Sequence, residues 1–360
     1  MLITKLSISN FRNLLVDDLE LDSGLNILHG KNAQGKTNIL EAIYFSAFGR
    51  ALRGKLDSEL IKWDEKESII RIETSKNGHK YLMDVFIEKH GKKIAKHFSV
   101  DKLPVKHLKD LFGKLLIVMF GPEDLKLIKS GPSERRRFMD MEICQLSPVY
   151  YNDIKEYHRI LKQRNVLLKT LQKDKSDVDT LSVWDEQLVY YAKRISKARG
   201  GFVDKINMAA NEIYKSIAGG EEISLMYKPS LISCDGLRKN RDKDIFRGAT
   251  SEGIHTDEIE FCISGRGARS FASQGQQRSA ALSAKLAEIS IIKETTGEDP
   301  ILLLDDVLSE LDSYRQEFLL SYVTAQQTII TATGVNELVK KISGKYNIMQ
   351  VSGGGVRSFR

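Results

Sequence analysis

The sequence predicts an α/β fold in which mixed sheets surround a phosphate-loop helix, with an inserted α-helical lobe. Three observations predict this fold. A glycine-rich phosphate-loop pattern at 30–37 lies between an apolar, strand-like run and a helical run. An aliphatic run at 301–304 ends in two acids, the first of them 269 positions after Lys36 (305 minus 36). The intervening segment 133–218 has the apolar spacing of long helices.

The phosphate loop comes from a pattern with a specific physical basis. Its glycines let successive backbone N–H groups surround phosphates, while Lys36 adds a positive charge and the Thr37 hydroxyl is placed to bind Mg²⁺. The helix predicted at 38–45 directs its N-terminal dipole at the same phosphates. The chain is therefore predicted to bind a nucleoside triphosphate through Gly30, Lys31, Asn32, Ala33, Gln34, Gly35, Lys36, Thr37 and Asn38.

The amino-acid composition limits the kinds of binding partner and the cellular compartment that we expect. The formal net charge of +7, from 55 Lys and Arg against 48 Asp and Glu, favours polyanionic partners without identifying one. Three widely spaced cysteines argue against a disulfide framework or a zinc site and favour a reducing cytosol. Apolar runs such as 115–120 are too short to span a bilayer, so we expect a cytoplasmic protein with no membrane partner.

Most of the remaining chain outside the helical segment predicts strands. Alternating or continuous apolar residues place them at 2–8, 19–21, 25–28, 68–74, 81–87, 94–100, 115–120, 223–227 and 259–263. The segment Asp235 to Thr256 is charged and poor in apolar residues, which predicts an exposed loop.

The helical segment predicts a hairpin. Apolar residues at alternating spacings of three and four form a seam interrupted by Arg164; they are Tyr150, Ile154, Tyr157, Leu161, Leu168 and Leu171, then Leu181, Trp184, Leu188, Tyr191, Ile195, Ala198 and Phe202. Two such helices joined by a polar turn predict antiparallel arms of ~20 to 35 residues, either in an ordinary bundle or as a projecting coiled coil. The predicted domains are an ATPase head at 1–130 and 221–360 and the helical lobe at 131–220.

The aliphatic run at 301–304 predicts the second half of the phosphate site. Such a run suits a parallel strand buried on both faces, whose carboxyl end carries acids to the site. The run resembles the Walker B motif. Asp305 is then a Mg²⁺ ligand together with Thr37, and Asp306 is placed to polarise an attacking water, so that Asp306 and Lys36 are the predicted catalytic residues.

The segment Phe271 to Arg278, followed by a predicted helix at 279–292, resembles the signature motif of ABC-type ATPases. A serine and a glycine at a helix N-terminus offer a hydroxyl, backbone N–H groups and a dipole to an anion. In that superfamily the anion is the γ-phosphate of ATP held by a second subunit. The resemblance thus implies an ATP-dependent homodimer in which the residues acting in trans are Ser273, Gln274, Gly275 and Gln276. Ser309 to Asp312 resembles the D-loop of the same interface.

Further blocks resemble the RecF family, in the SMC-like branch of these ATPases. They are Ile8 to Asn13, Gly49 to Lys55, Pro122 to Leu125, Gly131 to Asp140 and Leu303 to Arg315. The resemblance implies a slow ATPase of DNA repair and replication restart that binds double-stranded DNA beside single-stranded gaps and cooperates with RecR and RecO to load RecA. It also implies that Arg12 and Asn13 contact ATP.

Several points stay open at this level. Arg50, Arg53 and Lys55 could contact DNA phosphates, although a charge run is usually a solvated face. Thr331 and Thr333 are alternatives for the γ-phosphate sensor. An SMC-like structural head and an ABC transporter ATPase remain alternative functions, the latter disfavoured because the transporter glutamine and switch histidine have no counterpart here.

Overall fold

The computed structural model describes residues 1–52, 57–76, 78–91, 93–174, 178–323, 326–334, 339, 342 and 345–359. The strands are β1 (Leu2–Phe11), β2 (Leu14–Glu20), β3 (Leu25–His29), β4 (Glu67–Lys76), β5 (His79–His90), β6 (Lys93–Val100), β7 (Leu103–Pro104), β8 (Ile117–Phe120), β9 (Ile223–Lys228), β10 (Glu258–Ile263), β11 (Arg266–Gly267), β12 (Ile301–Leu304), β13 (Thr328–Ala332), β14 (Tyr346–Ser352) and β15 (Gly355–Phe359).

The helices are α1 (Lys36–Phe48), α2 (Lys126–Lys129), α3 (Pro132–Leu146), α4 (Pro148–Leu171), α5 (Leu181–Ile217), α6 (Cys234–Lys239), α7 (Arg241–Arg247), α8 (Ala268–Phe271), α9 (Gln274–Thr296) and α10 (Ser313–Val323). Within the described ranges, none of them combines the length and hydropathy that crossing a membrane requires. The chain forms two compact units, one of Met1–Asp124 with Glu288–Arg360 and the other of Leu125–Ala287.

The first unit contains two six-stranded sheets. One is antiparallel, in the order β2-β1-β4-β5-β6-β7. The other has the order β15-β14-β3-β13-β12-β8, in which the five strands from β14 to β8 run parallel and β15 is antiparallel at the edge. The predicted mixed sheets are therefore confirmed.

Helix α1 is packed on both sides. It contacts β1, β4 and β5 of the antiparallel sheet and β8 and β13 of the other sheet. Accordingly its buried residues cover most of its circumference, from Ile39 and Leu40 to Phe45 and Phe48. A helix that is apolar nearly all round is stable only in such a position. The fold class predicted from the sequence, with sheets around the phosphate-loop helix, is confirmed.

The second unit contains the predicted helical hairpin. Its arms are α4, of 24 residues, and α5, of 37 residues. Helix α4 also contacts α3 and α7, and α5 also contacts α3 and β9, so the hairpin belongs to a packed bundle and does not project as a coiled coil. The buried seam differs from the predicted one, since Asp185 and Arg199 are buried where Trp184 and Ala198 were expected. A straight helix drifts away from a strict heptad repeat, which accounts for these shifts of one position.

The prediction of an exposed loop at 235–256 is wrong. The segment contains α6, α7 and a short 3₁₀ turn at Ile254–Thr256, and it buries Leu237 and Ile245. Its charged composition misled the prediction because part of that charge is buried in pairs. Arg164 of α4 donates to Asp185 Oδ1 at 2.8 Å and to Asp244 Oδ2 at 2.8 Å, and all three side chains are almost fully buried.

A second buried charge cluster lies around Arg199 of α5. The guanidinium donates to Asp257 Oδ2 at 2.7 Å and to Asp140 Oδ1 at 2.9 Å. Arg135 of α3 is also buried and makes two bonds to Glu258, at 2.6 and 2.9 Å. Buried charges persist only when they are paired in this way.

The contacts draw the boundary between units differently from the predicted domains. Residues 221–287 cluster with the helices, because β9 packs on α5 and β10 packs on α3. The sequence prediction placed a boundary at 220, where helical texture gives way to strands. The assignment of 221–360 to the ATPase head stays a prediction.

Replacing Asp244 with alanine should destabilise the second unit by about 3 to 5 kcal/mol, because Arg164 then keeps a buried charge with one partner fewer. The chain has two tryptophans, Trp63 and Trp184. In a Trp63→Phe background, urea unfolding followed by Trp184 fluorescence reports on α5. The control is Asp242→Ala, an exposed aspartate of the same helix, which should cost less than about 0.5 kcal/mol. Equal effects of the two variants would contradict the assigned role of the buried pair.

Candidate nucleotide-binding site

The carboxyl ends of the parallel strands meet at one edge of the second sheet in the first unit. Strand β3 leads into the phosphate loop, β12 into Asp305 and Asp306, and β13 ends beside Thr331. Ligands of open α/β sheets bind at this edge. A pocket there is lined by Asn32, Ala33, Gln34, Gly35, Lys36, Thr37, Asn38, Asp305, Asp306 and Thr331. The structure thus brings together the predicted phosphate-loop and Walker B residues.

The phosphate loop closes on its own lysine. Lys36 Nζ donates to the carbonyl oxygens of Gly30 at 2.5 Å and Lys31 at 2.9 Å. Gly35 precedes α1 with φ of 112°, in the left-handed region that favours glycine. Burial lowers the pKa of the Lys36 ammonium, while the carboxylates of Asp306 and Asp305 oppose that shift. The ammonium is therefore partly desolvated and held where an anion would replace the two carbonyls as its partner.

Asp305 is the centre of a hydrogen-bonded chain. Its Oδ1 accepts from Thr37 Oγ1 at 2.7 Å and from Thr331 Oγ1 at 3.0 Å. The Thr331 hydroxyl in turn accepts from the backbone N–H of Asp306 at 2.8 Å. Asp306 itself has φ of 51°, an unusual conformation for a residue other than glycine. Thr331 therefore fixes the positions of both acids, whereas Thr333 is exposed.

Arg12 and Asn13, which precede the phosphate loop in the sequence, form hydrogen bonds with side chains of α1. Arg12 makes two bonds to the buried carboxylate of Glu41, at 2.6 and 2.9 Å. Asn13 Oδ1 accepts from Asn38 Nδ2 at 2.7 Å. Both predicted ATP contacts thus lie next to the phosphate-loop helix, and Arg12 also lines a neighbouring cleft that contains Trp63.

Sequence reasoning missed one support of the phosphate loop. The turn between β14 and β15 consists of Gly353 and Gly354, both with positive φ. Their N–H groups donate to Gln34, at 2.8 Å to Oε1 and at 3.1 Å to the carbonyl oxygen. A Cβ at Gly354 would overlap the carbonyl oxygen of Asn13. A Gly-Gly pair between strands signals a tight hairpin, and nothing in the sequence says which loop that hairpin contacts.

The predicted signature residues lie in the second unit and form a helix cap. Ser273 Oγ accepts from the N–H of Gln276 at 3.2 Å, and Gln276 Oε1 accepts from the N–H of Ser273 at 2.9 Å. This reciprocal pair is a capping box at the start of α9. Ser273, Gln274 and Gly275 are exposed. The hydroxyl of Ser273 thus uses its oxygen for the cap and keeps its proton for another acceptor.

The D-loop residues are also built locally. Ser309 Oγ donates to the carbonyl oxygen of Asp306 at 2.8 Å. Asp312 Oδ1 caps α10 by accepting from the N–H of Arg315 at 3.0 Å, a bond that lowers the pKa of that aspartate. Of the predicted DNA contacts, Arg50 is exposed at the end of α1, and Arg53 and Lys55 lie outside the described residues.

Comparison with known proteins agrees with this geometry. Residues 2–356 match the family model described as the RecF/RecN/SMC N-terminal domain. The chain is 45% identical over 344 residues to the DNA replication and repair protein RecF of Agathobacter rectalis, with 94% of each chain covered. It is 42% identical over 362 residues to that of Lachnospira eligens, with 99% of each chain covered.

Solved structures give the same result for the fold. The recombination mediator protein RecF with ATP, described in the RecFOR pathway, is similar with a TM-score of 0.92 and 32% identity, over 99% of this chain and 97% of that one. An Smc head bound to the C-winged helix domain of ScpA has a TM-score of 0.58 at 16% identity, over 99% and 96% of the two chains. The latter likeness concerns the fold alone.

Gly354→Ala should lower the stability of the first unit more than Gly353→Ala does. Both substitutions place a side chain at positive φ, which costs about 1 kcal/mol, but only the first meets a backbone oxygen, which adds about 1 to 3 kcal/mol. Denaturant unfolding followed by circular dichroism measures the difference. Equal destabilisation by the two variants would show that the contact with Asn13 does not constrain the turn.

Proposed function

The chain belongs to the RecF family of DNA replication and repair proteins, within the RecF/RecN/SMC group, and on this premise we propose that ATP closes a homodimer of it on duplex DNA beside single-stranded gaps. Hydrolysis, which we propose is slow, reopens the dimer. The observation that carries the proposal is the 2.7 Å bond between Thr37 and Asp305, which joins the two phosphate motifs at one strand edge.

ATP binding rests on the phosphate loop. We assign the triphosphate to the backbone N–H groups of the loop and to Lys36, whose ammonium exchanges the carbonyls of Gly30 and Lys31 for phosphate oxygens. Thr37 and Asp305 fit Mg²⁺, because a hydroxyl and a carboxylate are the hard oxygen donors that this ion takes beside phosphates and waters. When bound, Mg²⁺ neutralises charge on the phosphates. Relatives solved with ATP support this assignment.

Hydrolysis is assigned to Asp306. Its backbone is held by Thr331, and it lies one residue beyond the proposed metal ligand. A carboxylate at that position can accept a proton from, and so orient, an attacking water. The hydroxyl of Thr331 is hydrogen-bonded both to the carboxylate of Asp305 and to the backbone N–H of Asp306, so we assign Thr331 a positioning role. We assign the role of γ-phosphate sensor to Thr333, which is exposed.

Dimerisation is assigned to the signature and the D-loop. The exposed N-terminus of α9 presents a positive dipole end and the free proton of the Ser273 hydroxyl, which suit the γ-phosphate of ATP bound to a second copy. Ser309 and Asp312 would lie at the same interface. ATP binding in this scheme drives assembly before the chemical step.

We propose partners on the basis of the family. The RecFOR pathway named for solved relatives supports cooperation with RecR and RecO, and through them the loading of RecA. We assign Arg50 to phosphate contacts of the duplex, with Arg53 and Lys55 as further members of that cluster. The runner-up is a structural head of the SMC kind, favoured by the shared fold with Smc heads. A transporter ATPase is disfavoured by the family assignment.

The discriminating experiment measures ATP hydrolysis and oligomeric state together, with and without gapped duplex DNA. We expect ATP to produce a dimer and gapped DNA to alter its lifetime and the hydrolysis rate. If neither quantity responds to DNA, the structural-head alternative gains over the proposed function.

Ser273→Arg should bind ATP normally and remain a monomer, because the altered group serves the other subunit's nucleotide. Multi-angle light scattering with and without ATP measures this, alongside titration with a fluorescent ATP analogue. Ser216→Arg, the same change at an exposed position of α5, serves as the control and should still dimerise. ATP-induced dimerisation of the Ser273 variant would contradict the role in trans.

Asp306→Asn should leave ATP binding intact, slow hydrolysis by about 100-fold or more, and accumulate the dimer, because the amide cannot accept the proton from water. Single-turnover phosphate release and size-exclusion chromatography report these two effects. Asp299→Asn, a partly exposed aspartate of the same unit, is the matched control. Rapid turnover by the Asp306 variant would remove this residue from the mechanism.

A further inference from the structure

Helix α4 carries a stripe of cations on its exposed face. Lys155, Arg159, Lys162 and Lys169 are exposed, and Lys173 continues the line just past the helix end. At 100° per residue these positions lie within about 40° of one line along the helix, and the four on the helix span about 21 Å. The buried residues of α4, such as Tyr157, Arg164 and Leu168, lie on the opposite face. We call this set the α4 stripe.

The α4 stripe is poorly neutralised. Arg159 pairs with Glu156 at 2.7 Å, whereas Lys155, Lys162, Lys169 and Lys173 form no ion pair with any residue that the structure describes. The exposed face of the neighbouring helix α5 is different, because Glu186 and Asp204 lie on the same line as Lys193 and Lys197, one acid on either side of the two lysines. Positive charges arranged along a straight line create a positive electrostatic potential that attracts a linear polyanion.

The α4 stripe ends at an exposed aromatic ring. Phe246 of α7 is 86% exposed, and its carbonyl oxygen accepts from Gln172 Nε2 at 2.9 Å. A Cβ at Gly248 would lie 3.0 Å from Lys169 Cγ, so the end of α7 rests on the last turn of α4. Lys243 and Arg247 of the same helix are exposed, as is the acid Asp242.

We propose that the α4 stripe and Phe246 bind a single nucleic-acid strand, with its phosphates along α4 and an unpaired base stacked on the ring. Cations in line with an accessible aromatic face are the two elements of single-strand binding. A duplex uses only the first of them, because its bases are already stacked. An acidic protein surface could pair with the lysines of the α4 stripe, but it offers no nucleobase to stack on the ring of Phe246. This inference goes beyond the proposed function, since the site lies wholly within Leu125–Ala287 and uses no nucleotide-site residue.

The charge test compares two pairs of reversals. Fluorescence anisotropy with a labelled 20-nucleotide oligo-dT is measured for Lys155→Glu/Lys162→Glu and for the matched pair Lys193→Glu/Lys197→Glu on α5. The first pair should weaken binding about tenfold or more and reduce the salt slope by about 1.4, the value for two lost phosphate contacts at 0.7 each. The second pair should change affinity less than twofold. Equal effects of the two pairs would overturn the proposal. An absence of any effect of the first pair would also overturn it and would favour an acidic protein as the partner.

The stacking test uses Phe246→Leu, which keeps an apolar side chain and removes the ring, with Phe246→Trp as the restoring variant. The leucine should weaken oligo-dT binding at least fivefold with an unchanged salt slope, leave a blunt duplex of equal length unaffected, and be rescued by tryptophan. Loss of both ligands alike would refute the stacking role. In a Lys36→Ala background, which should not bind ATP, the substitutions in the α4 stripe and at Phe246 should weaken oligo-dT binding by the same factors. Failure of the ATP-driven dimer can therefore be distinguished from failure of this site.

Discussion

The parallel pairing of β12 with β8 on one side and β13 on the other is the constraint on which the proposed phosphate chemistry depends. It aligns Leu304 with Phe120 and with Ile330, so Asp305 emerges between Gly121 and Thr331. Because β13 also pairs with β3, the same edge receives the phosphate loop. The bonds from Thr37 and Thr331 to one carboxylate oxygen follow from this strand order, and no single motif could supply them.

The parts of this site that the sequence predicts are those in which a short run of residues determines its own shape. The glycine pattern and Lys36 define the loop locally, and the aliphatic run before Asp305 marks a strand buried on both faces. Joining the two motifs across 268 positions required one further rule, that parallel strands end at a common edge. The contact of Gln34 with Gly353 obeys no such rule, because hairpin turns on many surfaces have the same glycines.

The second unit shows why charged segments mislead sequence reasoning. Prediction from hydropathy patterns treats charged residues as exposed. In this structure, however, Arg164, Asp185 and Asp244 form a buried network joining α4, α5 and α7. The burial is stable only because each charge has its partner, and the partners lie 21 and 80 positions away from the arginine. Such pairs also suit a role in specifying one packing of the helices.

The support of the phosphate loop by the β14–β15 turn has a consequence for synthesis of the chain. Gln34 leaves the ribosome about 320 residues before Gly353 and Gly354, an interval of roughly 16 to 64 s at 5 to 20 residues per second. For most of that interval β3 lacks both of its parallel neighbours, β13 and β14, and its aliphatic residues have no sheet to join. A nascent chain therefore contains the whole glycine-rich motif long before it contains the turn that supports it, and until then the aliphatic residues of β3 are the kind of exposed apolar surface that chaperones cover.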